Sequence, residues 1–110
     1  MLPFMTMPDA VGALLQLASA EPEKLSTRVY NIRGFAATAG DIRDAVLEEF
    51  PSAEITFAPI AAKQQLVDTW PADVDDARAR ADWGLAPRHD LRKALGDYLL
   101  PALRRRYVNA

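Results

Sequence analysis

The stretch from Val67 to Leu91, VDTWPADVDDARARADWGLAPRHDL, constrains this chain more than any other segment. Trp70 precedes Pro71, which pushes its backbone towards an extended conformation. Asp75 or Asp76 then caps a short helix that runs through Trp83, and Gly84 suits the left-handed position that closes it. Asp90 caps the next and last helix. A segment with this many stops and starts forms compact helical turns, not a long strand.

The rest of the chain reads as alternating helices and short strands. Pro8 and Asp9 open a first helix, with Asp9 as its cap, or with Pro8 in the first turn if Thr6 or Met7 is the cap. Val11, Leu14, Leu15 and Ala18 recur at helical spacing and predict its buried stripe. Arg28 to Ile32 is β-branched and aromatic, so it predicts a strand, and Gly34 marks the loop after it. Thr38 followed by Asp41 resembles a capping box, which predicts a helix from Ala39 to about Glu49 with Ile42, Ala45, Val46 and Phe50 inward. Glu54 to Ala58 alternates like a half-buried strand, and Ala61 to Val67 forms a short helix. Leu91, Leu95, Tyr98, Leu99, Ala102, Leu103 and Tyr107 give the last helix its apolar face, kinked at Pro101. Two short strands among several helices predict an α/β unit, helix-rich with a small sheet, or strands that add to a sheet supplied elsewhere.

Composition excludes several functions. At 110 residues and a net charge of −2, the chain is one domain without a basic footprint, so nucleic acid is not an expected partner. With no cysteine there is no disulfide or thiolate site. The longest apolar run, Ala10 to Ala20, is broken by Gly12, Gln16 and Ser19 and is far short of the roughly 20 residues of a membrane span. No basic segment precedes the apolar opening, so no signal peptide is expected, and the expected location is cytoplasmic.

The search for chemistry returns little. The five glycines form no G-x-G-x-x-G, so no nucleotide cradle is expected. No tyrosine is followed four places on by lysine: Tyr30 meets Gly34 and Tyr98 meets Ala102. His89 is the only histidine, which leaves no His-rich metal site, and it reads as a loop residue near a helix start. Asp73, Asp75 and Asp76 lack the spacing of a calcium loop and read as caps. Arg104, Arg105 and Arg106 suit the negative end of the last helix. Trp70 is either a pocket wall or a surface plug.

Several of these motifs share an order with a known family. Leu2-Pro3-Phe4-Met5-Thr6-Met7-Pro8-Asp9-Ala10 resembles LPMMYMPDA, and Tyr30-Asn31-Ile32 matches a Tyr-Asn strand. Thr38 to Ile42 resembles the helix start that follows that strand. Asp68-Thr69-Trp70-Pro71 resembles DSWP, Asp75 to Gly84 resembles DDSEARKDWG, and Pro87 with Asp90-Leu91 resembles P-x-x-DL. Together they resemble the substrate domain of extended short-chain dehydrogenases (the NAD-dependent epimerase/dehydratase family), closest to the L-threonine 3-dehydrogenases.

The resemblance implies that residues 1–110 are the C-terminal substrate-binding domain of an NAD-dependent oxidoreductase, normally packed on a Rossmann domain absent here. It implies closure over L-threonine or a similar small molecule, with Trp70, Met5 and Thr6 bordering the substrate. The family's Tyr is replaced by Thr6. The catalytic Ser/Thr, Tyr and Lys, and the NAD site, belong to the absent half, so neither activity nor cofactor is expected of this chain alone. Lys63-Gln64-Gln65-Leu66 lacks the Arg with which nucleotide-sugar enzymes meet a diphosphate. The alternatives are the same piece of such an epimerase or dehydratase, and a stand-alone binding or oligomerisation module. Exposed apolar surface would favour self-association.

Overall fold

The computed structural model describes residues 1–107. Strand β1 (Leu2–Phe4) leads into helix α1 (Met7–Ala18) and a 3-10 turn (Pro22–Lys24). Strand β2 (Phe35–Ala37), α2 (Ala39–Glu49), α3 (Ala61–Asp68) and α4 (Ala77–Trp83) follow. The chain closes on α5 (Leu91–Lys93), a π-helical segment (Ala94–Leu99) and α6 (Leu100–Tyr107), which abut without a break. The unit is helix-rich with one small sheet, as the sequence predicts.

The strands are not where the sequence places them. β1 and β2 pair antiparallel with Leu2 opposite Ala37 and Phe4 opposite Phe35, whose rings stack at 5.9 Å. Pro3 is tolerated because a two-stranded ribbon has two edges. Arg28 to Ile32 and Glu54 to Ala58 are outside any ladder. Strand propensity measures the fit to a pleated, half-buried surface, and a strand still needs a neighbour to bond. Tyr30 and Ile32 do pack inward, while Val29 is 80% exposed.

Helix α1 starts as the second of the two cap readings has it, but turns its other face inward. Thr6 occupies its N-cap position, Pro8 sits in the first turn, and Asp9 is buried instead of capping. Asp9, Ala13 and Leu17 face the interior at helical spacing. The predicted stripe lies outward, with Leu14 and Leu15 each 65% exposed. α1 thus carries two apolar faces, and periodicity cannot choose between them. The face with the small Ala13 goes in, where Ala79 of α4 is fully buried in the same cluster.

The other helices obey their local signals. Thr38 and Asp41 make both bonds of the capping box at the start of α2. Asp75 accepts from the Ala77 amide at 2.9 Å, while Asp76 holds Arg80 with two bonds of 3.0 and 2.8 Å. Gly84 has φ of 73°, and the Leu85 amide reaches back to the Ala79 carbonyl at 3.2 Å. Asp90 accepts from the Lys93 amide at 2.9 Å. Pro101 leaves its mark as the π segment just before it, since a proline has no amide to donate and crowds the preceding turn. The wider turn changes the buried spacing, so that Leu100 enters the core and Leu99, Leu103 and Tyr107 stay exposed.

The core is thin. Ala13, Ala79, Trp83 and Leu85 form its centre, with Met5, Leu17, Leu25, Tyr30 and Ile32 packed around them. The radius of gyration is 17.0 Å, against about 13 Å for a compact domain of this size. The accessible surface is 8204 Å², whereas a folded monomer of this mass shows about 6,000 Å². The elements are arranged as a plate of 53 × 38 × 21 Å rather than a sphere.

Candidate functional site

A cleft of about 370 Å³ opens where the β1–β2 ribbon meets α3 and the Trp-Pro turn. Leu2, Phe4 and Ala37 form one wall. Gln64, Val67 and Asp68 form the other, three residues at helical spacing on α3. Trp70 stands at the end, 55% exposed, its amide bonded to the Val67 carbonyl at 3.0 Å. The loop beyond Pro71 is tied down by an ion pair of 3.1 Å between Arg33 and Asp73.

The polar groups of the cleft differ in availability. The Thr38 hydroxyl is engaged, donating to Asp41 at 2.7 Å and accepting the Asp41 amide at 3.0 Å. The Gln64 side-chain amide donates to Asp68 Oδ1 at 2.6 Å. Asp68 Oδ2 has no protein partner among the described residues. Among the described residues no Lys or Arg lines the cleft; Lys63 borders an adjoining depression with Ala58 and Ile60 that shares Gln64 and Val67 with it.

The three residues expected at the substrate do not share this cleft. Trp70 lines it. Met5 packs inward on the Ala13–Trp83 cluster. Thr6 is buried and meets His89 Nδ1 at 3.0 Å.

Thr6 belongs to a second cluster that sequence spacing did not reveal. Asp9 Oδ2 accepts the backbone amides of Arg88 (3.1 Å) and His89 (2.9 Å) and lies 3.1 Å from His89 Nδ1. Burial acts to raise the Asp9 pKa, yet these donors outweigh it and hold the carboxyl below its ordinary value. The trio of hydroxyl, imidazole and carboxylate has the composition of a nucleophilic relay but not its geometry. A relay places hydroxyl and carboxylate on opposite ring nitrogens. Here both address Nδ1, so the trio clasps the start of α1 to the loop before α5. His89 lies some 80 positions from Thr6 and Asp9, and only the fold brings it to them.

Asp82 serves a similar purpose on the other flank. It accepts from the Ser26 hydroxyl (2.6 Å), the Tyr30 hydroxyl (2.6 Å) and the Ser26 amide (2.9 Å), and these bonds lower its pKa. They hold the unpaired segment 26–30 against α4.

The chain's residues do not fit a dinucleotide. A pyrophosphate binds where a glycine-rich turn joins a strand to a helix N-terminus. The two strand-to-helix junctions here, at Thr6 and at Thr38, place the carboxylates of Asp9 and Asp41 in the first helical turn. Among the described residues no group of three His, Cys, Asp or Glu side chains converges as a metal site, and no helix is long and apolar enough to cross a membrane.

No protein-family model matches the chain. Individual relatives do. Over 90 residues it is 36% identical to the mitochondrial L-threonine 3-dehydrogenase of Sus scrofa, a match covering 82% of this chain and 24% of that protein. It is 32% identical to an uncharacterised epimerase/dehydratase of Staphylococcus saprophyticus, covering 90% of this chain and 31% of the relative. Among solved structures, the GalE-like L-threonine dehydrogenase of Cupriavidus necator superposes with a TM-score of 0.82 at 38% identity, over 91% of this chain and 36% of that one. The L-threonine dehydrogenase of Clostridium difficile gives a TM-score of 0.87 at 28% identity, over 94% and 33%. The chain therefore spans about a quarter to a third of the length of the proteins it matches. Sequence and fold agree that it belongs to the family of L-threonine 3-dehydrogenases and their epimerase/dehydratase relatives, and that it corresponds to one part of such a protein.

Proposed function

We propose that this chain is the C-terminal, substrate-closing part of an NAD-dependent L-threonine 3-dehydrogenase. The whole enzyme would oxidise the 3-hydroxyl of L-threonine to 2-amino-3-ketobutyrate and pass the hydride to NAD. The catalytic groups and the NAD site would lie in a nucleotide-binding domain outside this sequence. Trp70 is the side chain that walls the substrate, with Met5 and Thr6 setting the segment beside it. The observation that carries this reading is the likeness to the Cupriavidus necator L-threonine dehydrogenase, 38% identical over 91% of the chain.

The shape supports the same reading. An accessible surface about 2,200 Å² larger than a monomer of this mass needs is enough to face a neighbouring domain. The cleft chemistry favours an amino acid over a nucleotide sugar. A diphosphate calls for Arg or Lys donors, and the cleft offers Asp68 instead.

The test is a chimera in which this chain replaces the matching third of the Cupriavidus necator enzyme. The expected result is NADH formation with L-threonine, with KM raised in a Trp70→Ala version, and no turnover of a UDP-sugar. Epimerisation of the UDP-sugar without threonine oxidation would move the chain to the epimerase branch. The 110-residue chain alone is expected to form no NADH.

A further inference from the structure

Among the described residues Asp68 is the one carboxylate of the Trp70 cleft, and the proposed reaction does not yet use it. It ends α3, one helical turn after Gln64, and Gln64 donates to only one of its oxygens, at 2.6 Å. That solvent-exposed bond favours one orientation of the carboxylate and leaves Oδ2 free of protein partners among the described residues. The Thr38 hydroxyl, which also lines the cleft, is engaged by Asp41. Among the described residues the cleft contains no Lys or Arg that would claim Asp68 as an ion pair.

A carboxylate with one oxygen hydrogen-bonded and the other open, lining the same cleft as an indole, suits a small cation. An alkylammonium satisfies both features, because it donates to the carboxylate and is attracted to the electron-rich ring. The cleft volume of about 370 Å³ lies at the small end of the roughly 300–1,000 Å³ range of ligand pockets. The remaining wall, Leu2, Phe4, Ala37 and Val67, is apolar and suits a short aliphatic side chain.

We infer that Asp68 and Trp70 form an ammonium subsite, which recognises the α-amino group of a small amino acid while Gln64 orients the carboxylate. This rests on the reading of the Trp70 cleft as the substrate site, and it adds the residue that selects amino acids over hydroxy acids. Asp68 touches substrate but takes no part in hydride or proton transfer.

L-threonine and (R)-3-hydroxybutyrate make the test, since they differ only by the amino group. The two indole N–H resonances of the ¹⁵N-labelled chain are assigned with a Trp70→Phe variant and followed through titration with each ligand. Saturable movement of the Trp70 resonance by L-threonine is expected, with (R)-3-hydroxybutyrate weaker by about tenfold to a hundredfold, as suits a lost charge-assisted bond. Asp68→Asn keeps the acceptor for Gln64 and should erase the difference between the ligands without changing the far-UV circular dichroism. If both ligands move Trp70 equally, in native and Asp68→Asn chains alike, the ammonium subsite is overturned and the cleft as a substrate site survives. If neither ligand moves it at any concentration, both readings fall.

Discussion

The two tryptophans of this chain stand only thirteen positions apart, and the fold treats them in opposite ways. Trp83 ends α4, is 8% exposed, and meets Tyr30 edge-to-face at 5.8 Å. Trp70 follows a helix too, but Pro71 holds it on an open turn with half its surface in solvent. Around Trp83 the neighbours are small or well anchored: Ala13, Ala79 and Leu85, closed by the Gly84 turn. Around Trp70 the walls come from a two-stranded ribbon and an eight-residue helix with no buried residue. The difference separates scaffold from site. One tryptophan is spent on cohesion, and the other is held where something else can cover it.

Substituting each tryptophan in turn should therefore give the widest contrast available in this molecule. Trp83→Ala is expected to cost about 3–5 kcal/mol, the usual range for removing a buried aromatic, which is enough to unfold a domain with so thin a core. Trp70→Ala should change stability by no more than about 0.5 kcal/mol, as for an ordinary surface site. Urea unfolding followed by far-UV circular dichroism reads both. Equal losses would mean that Trp70 is a structural plug, and the cleft would lose its claim as a site.

What the sequence disclosed divides along the same line. The Thr38–Asp41 box, the Asp90 cap and the Gly84 turn were legible because each is decided within four or five residues. The position of Trp70 before Pro71 was legible for the same reason. The β1–β2 ribbon was hidden, since Leu2-Pro3-Phe4 and Phe35-Ala36-Ala37 carry little strand signal and pair across thirty residues. The buried face of α1 was misread because Val11, Leu14 and Leu15 outweigh Ala13 on any hydrophobic scale, yet only the smaller face lets α4 approach. The role of Asp9 was invisible, because its partners Arg88 and His89 come from the far end of the chain.

That long-range clasp yields the next largest effect. Asp9→Asn removes a buried charged acceptor of two backbone amides and a ring nitrogen, and should cost about 2–3 kcal/mol. Its pH dependence has a definite sign. The Asp9 pKa is lowered in the folded chain, so its contribution is complete above the unfolded value near 3.8 and disappears as pH falls through the folded value. Asp76, bonded to Arg80, and Asp82, bonded to Ser26 and Tyr30, act in the same direction. The native chain should lose stability below about pH 4, and the Asp9→Asn variant should lose less over that interval. A native urea midpoint unchanged between pH 5 and pH 2 would contradict the assignment.

Gly84→Ala should be milder. A Cβ there would meet Gln16 Nε2 at 3.6 Å, an ordinary contact, so the cost comes from the backbone at φ of 73° and not from crowding. About 1 kcal/mol is expected, seen as a lowered thermal midpoint with unchanged shape at neutral pH. A larger loss would show that the Gln16 bonds to the Trp83 and Gly84 carbonyls, at 2.9 and 3.0 Å, break as well.

The outward face of α1 should give the smallest effect on stability and the clearest one on assembly. Met7, Val11, Leu14 and Leu15 are all exposed on one side of that helix, opposite the face that touches α4. Leu14→Glu with Leu15→Lys removes apolar surface without emptying any packed site, so the urea midpoint should move by less than about 0.5 kcal/mol. Sedimentation is expected to show the native chain associating with itself and the double variant shifted to monomer. An unpartnered stripe of this kind is costly to leave in water, and it fits a chain that spans only about a quarter to a third of the length of its relatives. A native chain that sediments as a monomer at high concentration and binds no hydrophobic dye would instead show that the stripe tolerates water. The contrast between a cohesive interior and surfaces that await a partner would then hold for the Trp70 cleft but not for α1.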